Sequence, residues 1–103
     1  MEQVDLGTIV AERRLELVGE NGQEVACIVR VGKPVNDENG DWLCPYELEA
    51  GQHITRFRMH GGDSLQALIL TLKTLDMEIS RMAKKHDAKV HFFGEPLESV
   101  FNP

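Results

Sequence analysis

His53-Ile54-Thr55-Arg56-Phe57-Arg58-Met59-His60 alternates, and Gly61-Gly62-Asp63-Ser64-Leu65-Gln66-Ala67-Leu68 does not. The first stretch sets Phe57 and Met59 on one side and Arg56 and Arg58 on the other, the period of two of a pleated strand. From Gly61 the period changes. Leu65, Leu68, Leu72, Leu75, Ile79 and Met82 step by 3, 4, 3, 4 and 3 residues, and Ile69 and Ala83 widen the stripe. That spacing is one face of an amphipathic helix. Asp63 fits its N-cap, with Gln66 as the reciprocal partner of a capping box. Arg81, Lys84 and Lys85 crowd the last turn, where cations complement the helix dipole. The pattern predicts a helix over 64–85, roughly 33 Å long at 1.5 Å per residue.

Working outward, the residues before this corner read as strands. Ile9, Ala11, Leu15 and Leu17 share one parity, broken by Arg13. Gly19-Glu20-Asn21-Gly22 signals a turn. Val25, Cys27, Val29 and Val31 then alternate, with Glu24 and Arg30 on the other side. Gly32 to Asp41 reads as a loop. Trp42, Cys44, Tyr46 and Leu48 alternate again, with Glu47 and Glu49 opposite, and Ala50-Gly51-Gln52 turns the chain. A register with Leu48 opposite His53 brings the apolar sides together and sets Glu47 diagonal to Arg56, a pairing worth a few tenths of a kcal/mol up to ~1. Pro45 lacks the N–H a ladder needs, which points to an edge or bulge. After the helix, Lys89 to Phe93 offers a fifth strand, and Pro96, Leu97, Val100 and Phe101 read as an irregular strap.

The expected fold is α+β: a four-stranded antiparallel meander, with a further strand available after the helix, and one long amphipathic helix packed across one face. All 103 residues form one domain. A chain of this size buries roughly 60–65% of its unfolded surface, enough to fold without staples.

Charge narrows the function. The net charge is −6, with 12 acidic and 6 basic residues in 1–63 and 5 of each in 64–103. Neither part has the basic excess that binding a phosphate backbone requires, so no nucleic-acid partner is expected. The N-terminus lacks a basic start followed by an apolar block, and no apolar run approaches the ~20 residues of a membrane span. The expected location is the cytoplasm, with no membrane partner. Cys27 and Cys44 fall on apolar sides of strands, as buried thiols do in a reducing compartment. They make a poor zinc site, and no metal or cofactor is expected.

Gly61-Gly62-Asp63-Ser64-Leu65-Gln66-Ala67-Leu68 also carries a chemical reading. The eight residues resemble the phosphopantetheine attachment motif of the peptidyl carrier domains of nonribosomal peptide synthetases. That resemblance implies a carrier modified at Ser64, with Asp63 and Leu65 helping to dock the transferase. A helix N-terminus, with free N–H groups and a positive dipole end, suits the phosphate. Carrier domains are helical bundles, however, whereas here a strand precedes the motif and one long helix follows. The favoured reading is a strand-to-helix corner in which two glycines permit the bend, Asp63 caps, and Ser64 is tolerated in the first turn.

A second resemblance spans most of the chain. Arg14-Leu15-Glu16-Leu17, Gly32-Lys33-Pro34 and Asp41-Trp42-Leu43-Cys44-Pro45-Tyr46, followed by the strand into the corner and its long helix, resemble a family of small bacterial proteins known only as a domain of unknown function. It implies an α+β fold and no assigned activity, and supplies no catalytic residues.

Other constellations are weaker. His60 near Ser64 suggests a nucleophile and base, but sequence adjacency is not triad geometry and no nucleophile elbow is present. His53, His60, His86 and His91 lack the one-face spacing of a helical metal site. Trp42, Tyr46 and Phe57 lie on an expected core face, and Asp37, Glu38 and Asp41 crowd one loop without EF-hand spacing. Two sets of apolar residues are surplus to the core: Ala67, Leu70 and Met77 on the helix, and Ala26, Ile28 and Leu43 on the sheet's outer side. They mark a candidate interaction surface, for self-association as a homodimer or for another protein. The expected role is non-catalytic: a partner-binding or accessory module. The alternatives are a carrier modified at Ser64 and, more remotely, a small hydrolase using Ser64 and His60.

Overall fold

A computed structural model describes residues 5–97. Among the described residues, seven strands form a single antiparallel sheet: β1 (Ile9–Gly19), β2 (Glu24–Gly32), β3 (Val35–Asn36), β4 (Trp42–Ala50), β5 (His53–Gly61), β6 (Ala88–Phe92) and β7 (Glu95–Pro96), with one helix, α1 (Ser64–Lys85), between β5 and β6. The strand order is β3-β4-β2-β1-β6-β7, and β5 pairs with β4. This overturns the expected four-stranded meander with a helix packed across it. Strand accounts for about half of the described residues, and the sheet dominates the molecule. β6 extends the sheet beyond β1, Leu17 opposite Val90, and β7 folds back on β6.

β3 went unforeseen because it is two residues within a Gly- and Pro-rich loop. It pairs with Trp42 and Leu43 in line with β2, whose own pairing with β4 ends at Val31 opposite Tyr46. Pro45 lies in the gap between them. The expected edge or bulge is therefore a break in the neighbouring strand, and β4 itself is central. Asp37 organises the loop beyond, its carboxylate accepting from the Asn39 and Asp41 amides at 2.8 and 2.9 Å.

The register also differs. Ala50, not Leu48, faces His53, so Leu48 meets Thr55 and Glu47 stands directly opposite Arg56. The shift is two residues, so every side chain keeps its expected face. Gly51 and Gln52 alone make the turn, and only Gly51 has positive φ, at 59°, as a type II′ turn requires of its first residue.

One sheet face supplies Leu15, Leu17, Cys27, Val29, Val31, Cys44, Tyr46, Leu48, Ala50 and Val90 to the core. α1 adds Ala67, Thr71, Leu75, Ile79 and Ala83. Its buried stripe is thus rotated from the expected one: Leu65 and Ile69 are exposed, and Leu68, Leu72 and Met82 are half-buried. The cause is the corner. A Cβ built on Gly61 would sit 2.4 Å from the Ala67 nitrogen. Backbone meets backbone there, so only a small residue fits at 67. Thr71, one turn later, is also enclosed and donates its hydroxyl to the Ala67 carbonyl at 2.9 Å. Asp63 caps α1 by accepting from the Gln66 amide at 2.7 Å, and the Gln66 side chain accepts in return from the Gly62 amide at 2.6 Å.

Leu97 packs against the core and donates its amide to the Val90 carbonyl. Val100 and Phe101, expected in the same strap, lie outside the described residues.

Candidate functional site

The corner presents Ser64 as the first helical residue, exposed to solvent. Lys33, Pro34, Trp42, Leu65 and Leu68 surround it in a shallow depression of about 360 Å³. A strand, not a helix, leads into it. Among the described residues, Ser64 and His60 share no hydrogen bond, so the structure does not assemble the nucleophile and base that their proximity suggested. Cys27 and Cys44 are free and buried. Burial pushes the Cys27 thiol up to about 11, which keeps it protonated and inert near neutral pH.

The six surplus apolar residues do not converge. Ala67 is fully buried against Gly61 and offers no surface. Leu70 is half-buried on α1, while Met77 is 62% exposed. Ala26, Ile28 and Leu43 lie on the opposite face of the sheet, away from the helix. The helix set and the sheet set thus lie on two separate faces, and Ala67 belongs to the core.

That opposite face carries a rung of alternating charge. Glu12, Arg30, Glu47 and Arg56 stand in line across β1, β2, β4 and β5. Arg30 donates to Glu12 at 2.9 Å, to Glu47 at 2.5 Å and to Glu49 at 3.2 Å, and Arg56 donates to Glu47 at 2.5 Å. The two guanidinium groups cover Glu47, which is only 3% exposed. Burial alone would raise its carboxyl, but the hydrogen bonds from Arg56 and Arg30 outweigh burial and hold it below the ordinary carboxylate range. The hydrogen bonds to Glu49 and Glu47 shift Arg30 in the complementary direction.

On the helix side, a cleft of about 660 Å³ opens beside the C-terminal half of α1, lined by Leu17, Leu48, Thr55, Glu78, Arg81 and Met82 among others. The Tyr46 hydroxyl donates to Glu78 Oε1 at 3.1 Å, and Glu78 Oε2 is buried with no hydrogen-bond partner among the described residues. Burial, reinforced by the Glu78 charge, pushes the Tyr46 phenol up to about 12.

The feature that a partner would meet first is β5. Among the described residues no strand pairs with it on the side away from β4. A two-residue hairpin is closed by a hydrogen-bonded pair, here Ala50 and His53, and bonded and non-bonded pairs alternate from there. The odd-numbered residues of β5 therefore bond to β4, and Ile54, Arg56, Arg58 and His60 point their N–H and C=O groups outward. Pro45 agrees with this phase: it faces Arg58 across a non-bonded pair, where its missing N–H costs the β4–β5 ladder nothing. Phe57 lies at this edge on the helix face, 56% exposed, with its ring edge-to-face on buried Tyr46 at 6.5 Å. The Thr74 hydroxyl reaches the Met59 sulfur at 3.7 Å, so α1 flanks the same edge.

Sequence reasoning named Phe57 and Arg56 but assigned them to core and solvent. No local signal marks a strand as terminal in its sheet; that depends on where β6 docks. Among the described residues no helix is long and apolar enough to cross a membrane, and no three His, Cys, Asp or Glu side chains gather to hold a metal ion. A family model described as a domain of unknown function (DUF6968) matches residues 11–101. No curated protein and no solved structure matches the chain.

Proposed function

Starting from a chain that belongs to the DUF6968 family, a domain of unknown function, we propose a non-catalytic binding module of the cytoplasm that captures an extended segment of a partner protein along the outer edge of β5. The single observation that carries this reading is a nine-residue strand with one side unpaired among the described residues. Unpaired strand edges are templates for a further strand, with main-chain hydrogen bonds giving affinity and alternate side chains giving specificity. Native sheets usually blunt such edges with short strands or proline. Beyond β6 the sheet is treated that way: β7 is two residues long and ends in Pro96, although residues 9–15 of β1 have no partner strand on that side among the described residues. β5 contains no proline and keeps one-to-one register with β4 along its whole length. Phe57 supplies an aromatic anchor beside the edge. Two buried free thiols suit a reducing compartment.

The test is a titration of isotope-labelled protein with nine-residue peptides of alternating polar residues and valine, followed through backbone amide shifts. The amides of Ile54, Arg56, Arg58 and His60 are expected to move together and to gain protection from hydrogen exchange. N-methylation of the peptide's bonding amides is expected to abolish the effect. Saturable binding that maps to the cleft or to the Ser64 depression, with β5 unmoved, overturns the reading. Addition of a phosphopantetheine arm to Ser64 by a broad-specificity transferase, lost in Ser64→Ala, would replace it with the carrier alternative.

A further inference from the structure

Resting on the reading of β5 as a docking edge, we infer that the captured segment alternates acidic and apolar residues, and that a second copy of this chain is excluded by charge. The chain is acidic overall, at −6, yet His53-Ile54-Thr55-Arg56-Phe57-Arg58-Met59-His60 contains two arginines, two histidines and no acid. The sign of the charge reverses at β5, whose outer side is open along its whole length among the described residues.

The pleat sorts these residues. Ile54, Arg56, Arg58 and His60 stand on the face away from α1, and Thr55, Phe57 and Met59 on the helix face. An added strand shares this pleat, so its residues opposite Arg56 and Arg58 stand on the outer face, two apart. The residue between them stands on the helix face, opposite Phe57. Directly opposed side chains in neighbouring strands interact most strongly. The complement is therefore acid, apolar, acid, in either chain direction. Arg56 already donates its Nε to Glu47 and is 47% exposed, and Arg58 also has a partner, but a guanidinium has five donors and so further ones for a second carboxylate.

The same side chains reject self-pairing. Two copies related by a two-fold axis through the edge align residues of equal parity. Centred on Phe57, the pairing sets each Arg56 against Arg58 of the second copy. Centred on Arg56 or on Arg58, it sets that arginine against itself. Like charges placed directly opposite are destabilising. Centres at Thr55 or Met59 avoid the clash only by leaving half of the strand unpaired. This edge admits an acidic strand and turns away its own kind.

Three nine-residue peptides decide it: alternating Glu–Val, Ser–Val and Lys–Val, titrated at low and high salt. Glu–Val is expected to bind at β5 about tenfold more tightly than Ser–Val at low ionic strength, the gain two cross-strand charge pairs supply. The gap is expected to close as salt is raised. Arg58→Gln should shrink the Glu–Val advantage to about threefold, and Lys–Val should not bind. If Ser–Val matches Glu–Val at β5, the acidic inference falls while the docking edge stands. If no peptide moves the β5 amides, the docking edge itself falls. If light scattering shows a dimer that Arg58→Glu strengthens, the partner is a second copy and the inference is overturned.

Discussion

Replacing Gly61 with alanine puts a methyl group where the helix backbone already is. The added Cβ would lie 2.4 Å from the Ala67 nitrogen, 2.9 Å from the Ala67 Cα and 3.0 Å from the Gln66 carbonyl carbon. Ordinary contact begins at 3.4 Å, so the first turn of α1 must withdraw from β5 by about 1 Å. No rotamer change relieves this, because the atoms met are main-chain. Withdrawal also loosens enclosed Thr71, whose hydroxyl lies 3.4 Å from the Cys44 carbonyl. Forcing a methylene into a packed site costs about 1–3 kcal/mol, and a main-chain clash belongs at the upper end. For a domain of this size, 1 kcal/mol moves Tm by about 4–8 °C, so a loss of 2–3 kcal/mol lowers it by roughly 10–20 °C. Thermal and urea unfolding, followed by circular dichroism and the single tryptophan, measures this. Gly62→Ala is the control. Its Cβ meets only the end of the flexible Gln66 side chain at 3.3 Å, and its loss should stay below about 1 kcal/mol. Adding Ala67→Gly to Gly61→Ala should not restore stability, since it removes none of the clashing atoms. A Gly61→Ala protein melting within about 3 °C of the parent would refute the close packing of helix on strand.

Glu47→Gln should cost about 1–2 kcal/mol, because Arg30 and Arg56 lose their shared carboxylate but both stay partly solvated and Arg30 keeps Glu12 and Glu49. The parent's stability should also fall on acidification. The Glu47 carboxyl titrates lower folded than unfolded, so its contribution is full above the ordinary value of 4.5 and is lost as pH drops through the folded value. Urea midpoints at pH 6 and pH 3 check both points, and the Glu47→Gln variant should show the smaller drop. Tyr46 is the only tyrosine, so its ionisation is directly visible by ultraviolet absorbance. The midpoint is expected at about 12, and Glu78→Gln should lower it. The phenol's contribution is full below the unfolded value near 10 and is lost as pH rises through the folded one. A midpoint near 10 in folded protein would contradict the burial.

Local patterns carried far into this structure. Asp63 and Gln66 announced the helix start, and Lys84 and Lys85 its end, because capping and dipole effects act over a few residues. The alternation of Val25 to Val31 and of Trp42 to Leu48 assigned core faces correctly, since a two-residue slip in register preserves parity. The stripe on α1 carried over at Leu75, Ile79 and Ala83 but not in the first turns, because Leu65 and Ile69 satisfy helical spacing as well as Ala67 and Thr71 do. The choice was made by the approach of Gly61, a distance between main chains that no hydropathy pattern contains. The site was less legible still. Arg56 and Arg58 read as ordinary solvent-side charges, and only the docking of β6 beside β1 leaves β5 terminal. Ser64 carried the strongest motif in the sequence, and its neighbours proved to be a helix cap and a shallow apolar shelf.

The short β7, closed by Pro96, has a consequence for stoichiometry. Fibrils and open-ended stacks need two adhesive borders per molecule, so that each newcomer exposes the next landing place. Here, among the described residues, β7 is blunted and a guest strand on β5 fills the long vacancy, while residues 9–15 of β1 stay unpaired beyond the end of β6. Assembly that would run from β5 of one molecule to β7 of the next therefore stops at one guest per host, however high the concentration.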